Sequence, residues 1–269
     1  MSSDYNSYVS SFKSIEKLHI LELLKNDTFE PIFRIFSWIL INVFSENTYL
    51  VIVIIINLVF LISLYKLFDD KNLAIISLFC YIYIPLFFPM TTNILRQMLV
   101  ISLLLLLLSS SKKYRKLVIF LPFIHVSSLI FTLFIFIQNK IKIKYLYIFT
   151  IISILCFLTN LNTFIFSDLM SIKIYTSDNT FENYGNKGNR IDFFLLTLFV
   201  LIISSLLYKN KLLSKLIFRY SLISACFYFC MGYQAFSERY AIYNWILLLV
   251  FIPKLLIIIK KGVKNKWIF

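Results

Sequence analysis

From residue 49 to the C-terminal lysines, the chain is a succession of apolar runs cut by short polar breaks. Runs able to span a bilayer occupy residues 49–65, 73–88, 93–108, 144–158, 191–208, 212–236 and 240–259. A hydrocarbon core of about 30 Å takes roughly 20 apolar residues as a helix, with some shortfall tolerated. Lipid offers the backbone no hydrogen-bond partner, so runs of this kind must be helical. The pattern predicts an all-α polytopic transmembrane helical bundle of about seven spans, with re-entrant or half-length helices besides, and one membrane domain over residues 1–269.

The lysines orient these spans. Basic clusters fall at Lys66 and Lys71, at Lys112, Lys113, Arg115 and Lys116, at Lys140, Lys142 and Lys144, at Lys209, Lys211 and Lys215, and from Lys260 to Lys266. The positive-inside rule puts all of them in the cytoplasm. The run 114–137 then has lysine-rich flanks on one side and cannot cross once, so it is expected to form a re-entrant hairpin. Pro122 and the polar step His125-Val-Ser-Ser128 mark its break, and such irregular backbone needs protein or a wet cavity around it.

The same reasoning puts residues 1–48 outside, with the short apolar stretch 31–44 as a surface-lying or re-entrant helix opened by Glu30-Pro31. Residues 160–190 form the long outer loop, with an interfacial helix expected over 164–175, and residues 191–269 hold the last three spans and a cytoplasmic tail. The hydrophilic start carries Lys13, Lys17 and Lys25 with no apolar segment before it, so Met1 is expected to be a shortened start.

Composition narrows the chemistry. Hydrophobic residues make up 60% of the chain and charged ones 15%, which excludes an ordinary soluble domain. The net charge of +14 sits mainly in the short loops, where it reads as an orientation signal rather than a nucleic-acid surface. Four glycines leave no phosphate-cradling nucleotide loop. Cys80, Cys156, Cys226 and Cys230 lie in apolar runs and read as packing residues, so no metal and no soluble cofactor is expected. An enzyme of this composition takes its donor from the membrane.

Of the 13 acidic residues, all but Asp69 and Asp70 fall on the expected outer side or at outer helix ends, as do Arg34, Arg96, Arg190 and Arg239. A guanidinium in a membrane helix costs a few kcal/mol, roughly 2.5–3.5, unless paired or wetted, so each is a functional candidate. Arg96 lies in Asn93-Ile-Leu-Arg-Gln97, one turn into its helix, with Asn93 expected on the same side. Arg239 opens the last helix beside Glu238. Arg219, near the cytoplasmic end of its helix, reads as a snorkelling residue. His125 in an apolar segment is costly to bury alone, whereas Asp4 and Glu30, on their chemistry alone, read as ordinary surface acids.

In order along the chain stand Asp4-Tyr-x-x-Tyr8, Glu30-Pro-x-Phe33, Asn93-x-x-Arg-Gln97, His125-x-Ser127 and Arg239-x-x-x-Tyr243. This series resembles the EpsG/Wzy-type family of bacterial O-antigen and exopolysaccharide polymerases. It departs in lacking a hydrophobic segment ahead of Asp4 and in carrying Pro-Phe-Ile before His125, where small residues are common.

The resemblance implies transfer of a growing glycan from undecaprenyl pyrophosphate to a hydroxyl of the next lipid-linked repeat unit, at the outer face of the bacterial cytoplasmic (inner) membrane, in a fold for which a GT-C-like arrangement is an option. On that reading Arg96 and Arg239 take the pyrophosphate, and Glu30, Asp4 or His125 takes the proton, the three remaining open. Asn93, Gln97, Arg190 and Tyr243 are substrate contacts. Partners would be undecaprenyl-pyrophosphate-linked glycans, membrane lipids, and a chain-length regulator and flippase of the same pathway, with no nucleic acid. The rival readings are an O-antigen ligase, a membrane acyltransferase, or a lipid-linked glycan flippase or transporter.

Overall fold

A computed structural model of the chain describes residues 4–166, 189–234 and 236–266, with side chains to Lys260. Among these residues all regular structure is helical. The helices group into two compact units, residues 1–136 and 137–269.

The first unit begins with two helices that apolar periodicity alone did not announce, α1 (Tyr5–Glu16) and α2 (Ile20–Lys25). Tyr8, Phe12 and Ile15 recur at helical spacing and are the buried face of α1. They pack on α3 (Pro31–Phe44), whose own buried face is Phe33, Arg34, Ser37 and Ile41. The helix α3 has the bounds read from the sequence, with Pro31 supplying its fixed φ in the first turn. Between α3 and α4 (Thr48–Lys66) runs a 3-10 turn, Ser45–Asn47. Residues 31–66 form a helical run of 36 residues, longer than the roughly 20 that one crossing needs. Ser45, at φ 47°, breaks it in two.

The most extensive packing in this unit is between α4 and α7 (Leu95–Ser109), a helix most of whose residues are buried and none of which is exposed. Helix α5 (Lys71–Tyr83) is capped by the Asp70 carboxylate, which accepts from the Asn72 amide at 2.9 Å. It stops five residues short of the expected 88, because Pro85 pushes Ile84 out of the helical region. The expected span 93–108 is likewise interrupted. A short α6 (Met90–Asn93) ends at Ile94, at φ −122° and ψ 60°, and α7 starts after it.

A polar ladder fastens this break. The Tyr81 hydroxyl donates to the Asn57 side chain, whose amide donates in turn to the Val53 carbonyl at 2.8 Å and to the Thr91 hydroxyl at 3.4 Å. Tyr49 donates to the Thr92 carbonyl.

After a single turn, α8 (Lys112–Arg115), residues 116–123 wind as a 3-10 helix, and His125 is extended at φ −158°. A second short 3-10 turn, 126–128, then leads into α9 (Leu129–Ile137). Pro122 in the winding segment cannot donate an amide to the ladder. The Ser128 hydroxyl closes the turn by donating to the His125 carbonyl at 2.8 Å.

In the second unit α10 (Ile143–Leu158) packs on α13 (Lys215–Met231), which is flanked by α12 (Ile191–Lys209) and α14 (Ser237–Trp245). A short α11 (Leu161–Phe166) stands where the interfacial helix 164–175 was expected, and most of that expectation falls outside the described residues. Among the described residues the expected span 212–236 is helical only over α13. The expected span 240–259 is divided between α14 and α15 (Leu248–Lys266). Buried polar groups pin α14. The Asn244 amide donates to the Ser221 carbonyl at 3.0 Å, and the Trp245 indole donates to Thr197 at 2.9 Å.

Arg219 is not a snorkelling residue. It is 4% exposed, and its guanidinium donates to the carbonyls of Gln138 and Ile141, in the turn that follows α9. The chain is a helical membrane bundle, in which residues 31–66, 191–209 and 237–260 make the long apolar helical runs and shorter apolar helices accompany them.

Candidate active site

Three residues from separate motifs meet in the first unit. Glu30 stands at the N-cap of α3, Arg96 on the first turn of α7 just past the Ile94 break, and His125 in the extended gap between two short helices. One carboxylate oxygen of Glu30 accepts from Arg96 Nη1 at 2.6 Å, and the other lies 2.8 Å from His125 Nδ1. The Val126 amide also points at that second oxygen, at 3.4 Å. All three side chains are largely buried, at 18% exposed for Glu30, 21% for His125 and 30% for Arg96.

Each placement has a local cause. Pro31 fixes the start of α3 and leaves the Glu30 side chain ahead of the helix, at its positive end. The Ile94 break starts a fresh helix, so Arg96 sits in its first turn. The extended backbone at His125 turns that ring toward the carboxylate rather than along a helix face.

The electrostatics follow. Burial pushes the Glu30 carboxyl up, but the hydrogen bond from His125 and the positive charge of Arg96 outweigh it and hold the group at about 2. An ionised carboxylate only accepts, so the proton of a neutral His125 is on Nδ1 and Nε2 keeps its lone pair. The Arg96 guanidinium lies 5.4 Å from the Phe29 ring centre and interacts with the Tyr8 hydroxyl, while its buried Nε has no hydrogen-bond partner.

Tyr8 is the site residue that sequence reasoning passed over. The signal was present, since Tyr8 closes the element that begins with Asp4. Its ring packs on Phe29 and Tyr49, with centroids at 6.1 and 6.4 Å, so it joins α1 to the charged cluster. Asp4 caps the other end of that motif, at the start of α1, and its side chain makes no cap hydrogen bond. Gln97 is buried on α7. Asn93 precedes the break, so the expected i, i+3 alignment with Arg96 on one continuous helix does not form.

The remaining candidates belong to the second unit. Arg190, at the N-cap of α12, pairs with Asp192 and stacks on Phe193 at 3.8 Å, while its carbonyl accepts from the Tyr228 hydroxyl. The Arg239 guanidinium lies over Phe236 at 4.2 Å on the first turn of α14. Tyr243 is fully buried, with its ring against Phe227 and its carbonyl accepting from Tyr220 at 3.0 Å. Among the described residues, no group of three or more His, Cys, Asp or Glu side chains has the arrangement of a metal site.

The model of one protein family, the EpsG family, matches residues 1–269, the whole chain. No curated protein and no solved structure matches it significantly.

Proposed function

Since this chain belongs to the EpsG family, a membrane family with a polysaccharide-polymerase type of function, we propose that it joins undecaprenyl-pyrophosphate-linked repeat units into O-antigen or exopolysaccharide, with His125 as the base. The observation that carries this reading is the Glu30 carboxylate held between Arg96 and His125. A carboxylate held at about 2 is too weak a base for a sugar hydroxyl near neutral pH. Its use is to fix the imidazole. With the proton on Nδ1 and the ring oriented, Nε2 is the acceptor.

The step is written as follows. The acceptor hydroxyl oxygen attacks the anomeric carbon of the lipid-linked glycan and passes its proton to His125 Nε2. The bond from that carbon to the phosphate oxygen breaks, and undecaprenyl pyrophosphate leaves with the electron pair. Arg96, whose planar fork has donors beyond the one given to Glu30, takes charge developing on the leaving group. In a site where water is scarce, such stabilisation is at its most effective. Arg239, assigned to the pyrophosphate by its place in the motif series, is proposed for the same task. The site is proposed to face the outer side of the cytoplasmic membrane, as the lysine distribution indicates.

The test is the glycan profile of a strain whose only copy carries Arg96→Ala. The reading expects inserted protein and single repeat units at the cell surface. A normal ladder of chain lengths would remove it. A ligase would instead show loss of attachment with the ladder preserved.

A further inference from the structure

Between α1 and the turn that joins α3 to α4 lies a cavity of about 230 Å³. Its apolar floor is Val9, Phe12 and Ile41, and its polar rim is Lys13, Glu16 and Glu46, with Tyr49 as a wall. Three features distinguish it from an ordinary surface dent. Lys13, Glu16 and Glu46 line one space, yet among the described residues none of them forms an ion pair with another. Ser45, which lines the same space, holds a positive φ of 47°, a conformation that costs a non-glycine residue energy. Finally, the Tyr49 wall packs on Tyr8, and Tyr8 reaches Arg96, so a single aromatic ring separates the wall from the guanidinium.

The chemistry of this lining selects a ligand. An apolar floor with a few convergent polar groups is the usual make-up of a small-molecule site, and the volume falls below the usual range of about 300–1,000 Å³. That leaves room for one sugar ring rather than a whole repeat unit. Carboxylates accept from paired ring hydroxyls, and an aromatic wall suits the C–H face of a pyranose. Two acids against one lysine repel pyrophosphate, which belongs with Arg96.

We propose that this cavity is a sugar subsite, taking one neutral or amino-bearing pyranose ring of the lipid-linked glycan next to the reacting pair. The assignment of that ring to a glycan substrate rests on the polymerase reading. The binding itself does not.

The experiment is saturation-transfer NMR on the full-length protein in nanodiscs. The probes are the methyl glycosides of glucose, galactose, N-acetylglucosamine and glucosamine at millimolar concentration. The expected result is transfer to at least one probe, reduced at least fivefold both in the Glu16→Gln/Glu46→Gln double variant and in Val9→Trp, which fills the cavity. Transfer should be retained in Arg96→Ala and be insensitive to added inorganic pyrophosphate. No transfer to any probe, transfer unchanged in both cavity variants, or displacement by pyrophosphate would overturn the proposal. Because no turnover is read, sugar binding alongside a normal glycan ladder in Arg96→Ala would strike at the polymerase reading and leave the subsite standing.

Discussion

The Glu30 carboxylate reaches His125 Nδ1 at 2.8 Å across 95 positions of sequence, and the same carboxylate takes Arg96 at 2.6 Å on its other oxygen. A buried acid placed between a guanidinium and an imidazole has one electrostatic role and one geometric role, and the two can be separated by substitution.

Glu30→Gln removes the charge and keeps the size. It leaves Arg96 partly buried without its counter-ion and no longer favours one histidine tautomer. The expected outcome is a fall of roughly 10²–10⁴ in turnover, the range attached to general acid–base catalysis. Glu30→Asp should lose less. Initial rates of repeat-unit consumption in proteoliposomes measure both.

The pH dependence has a definite sign. Glu30 is held at about 2, below its unfolded value, so its stabilising contribution is complete above the unfolded value near 4.5 and is lost as pH falls toward 2. Removing the Arg96 charge takes away one of the influences that lower it. Difference infrared spectra against Glu30→Gln should show wild-type protonation near pH 2, and Arg96→Ala should move it upward.

Arg219 tests structure apart from chemistry. Its two donations to Gln138 and Ile141 are buried hydrogen bonds from a charged group, each worth about 1.5–3 kcal/mol. Arg219→Leu should lower the thermal unfolding temperature in detergent by several degrees. The protein that remains folded should keep normal glycan chain lengths.

The ladder from Tyr81 through Asn57 to Thr91 is a positioning device for the Ile94 break, and through it for Arg96. Intramembrane hydrogen bonds of this kind average about 0.6 kcal/mol. Tyr81→Phe should therefore cost little stability and less than tenfold in turnover. Asn57→Leu, which cuts both links, should lower turnover further while KM changes little. Parallel thermal and kinetic measurements decide it.

Much of this was legible from residue order. The bounds of α3 came from Pro31 and the apolar run behind it, and the broken helix around His125 from Pro122 and the polar step that follows. The breaks that matter most to the site were not legible. Ile94 is an apolar residue inside an apolar run, and nothing in periodicity marks it. The break is made by the turn before it and by contacts from Asn57 and Tyr49, which are tertiary. Arg219 was misjudged because a position near a helix end does not show whether open carbonyls lie across from it. Tyr8 was missed because it stands in a polar segment with no apolar run to announce a helix, and only as the last residue of the Asp4 motif. Its role depends on Phe29 and Tyr49, 21 and 41 positions away by the numbering of the chain.

The central claim is that His125, fixed by Glu30, accepts the proton during glycan transfer. The most direct measurement is polymer formation by His125→Ala protein in proteoliposomes, with and without added imidazole. The account predicts loss of long chains with insertion unchanged, and partial return of activity with imidazole in the emptied position. Full-length polymer from the variant at wild-type rate, without imidazole, would contradict it.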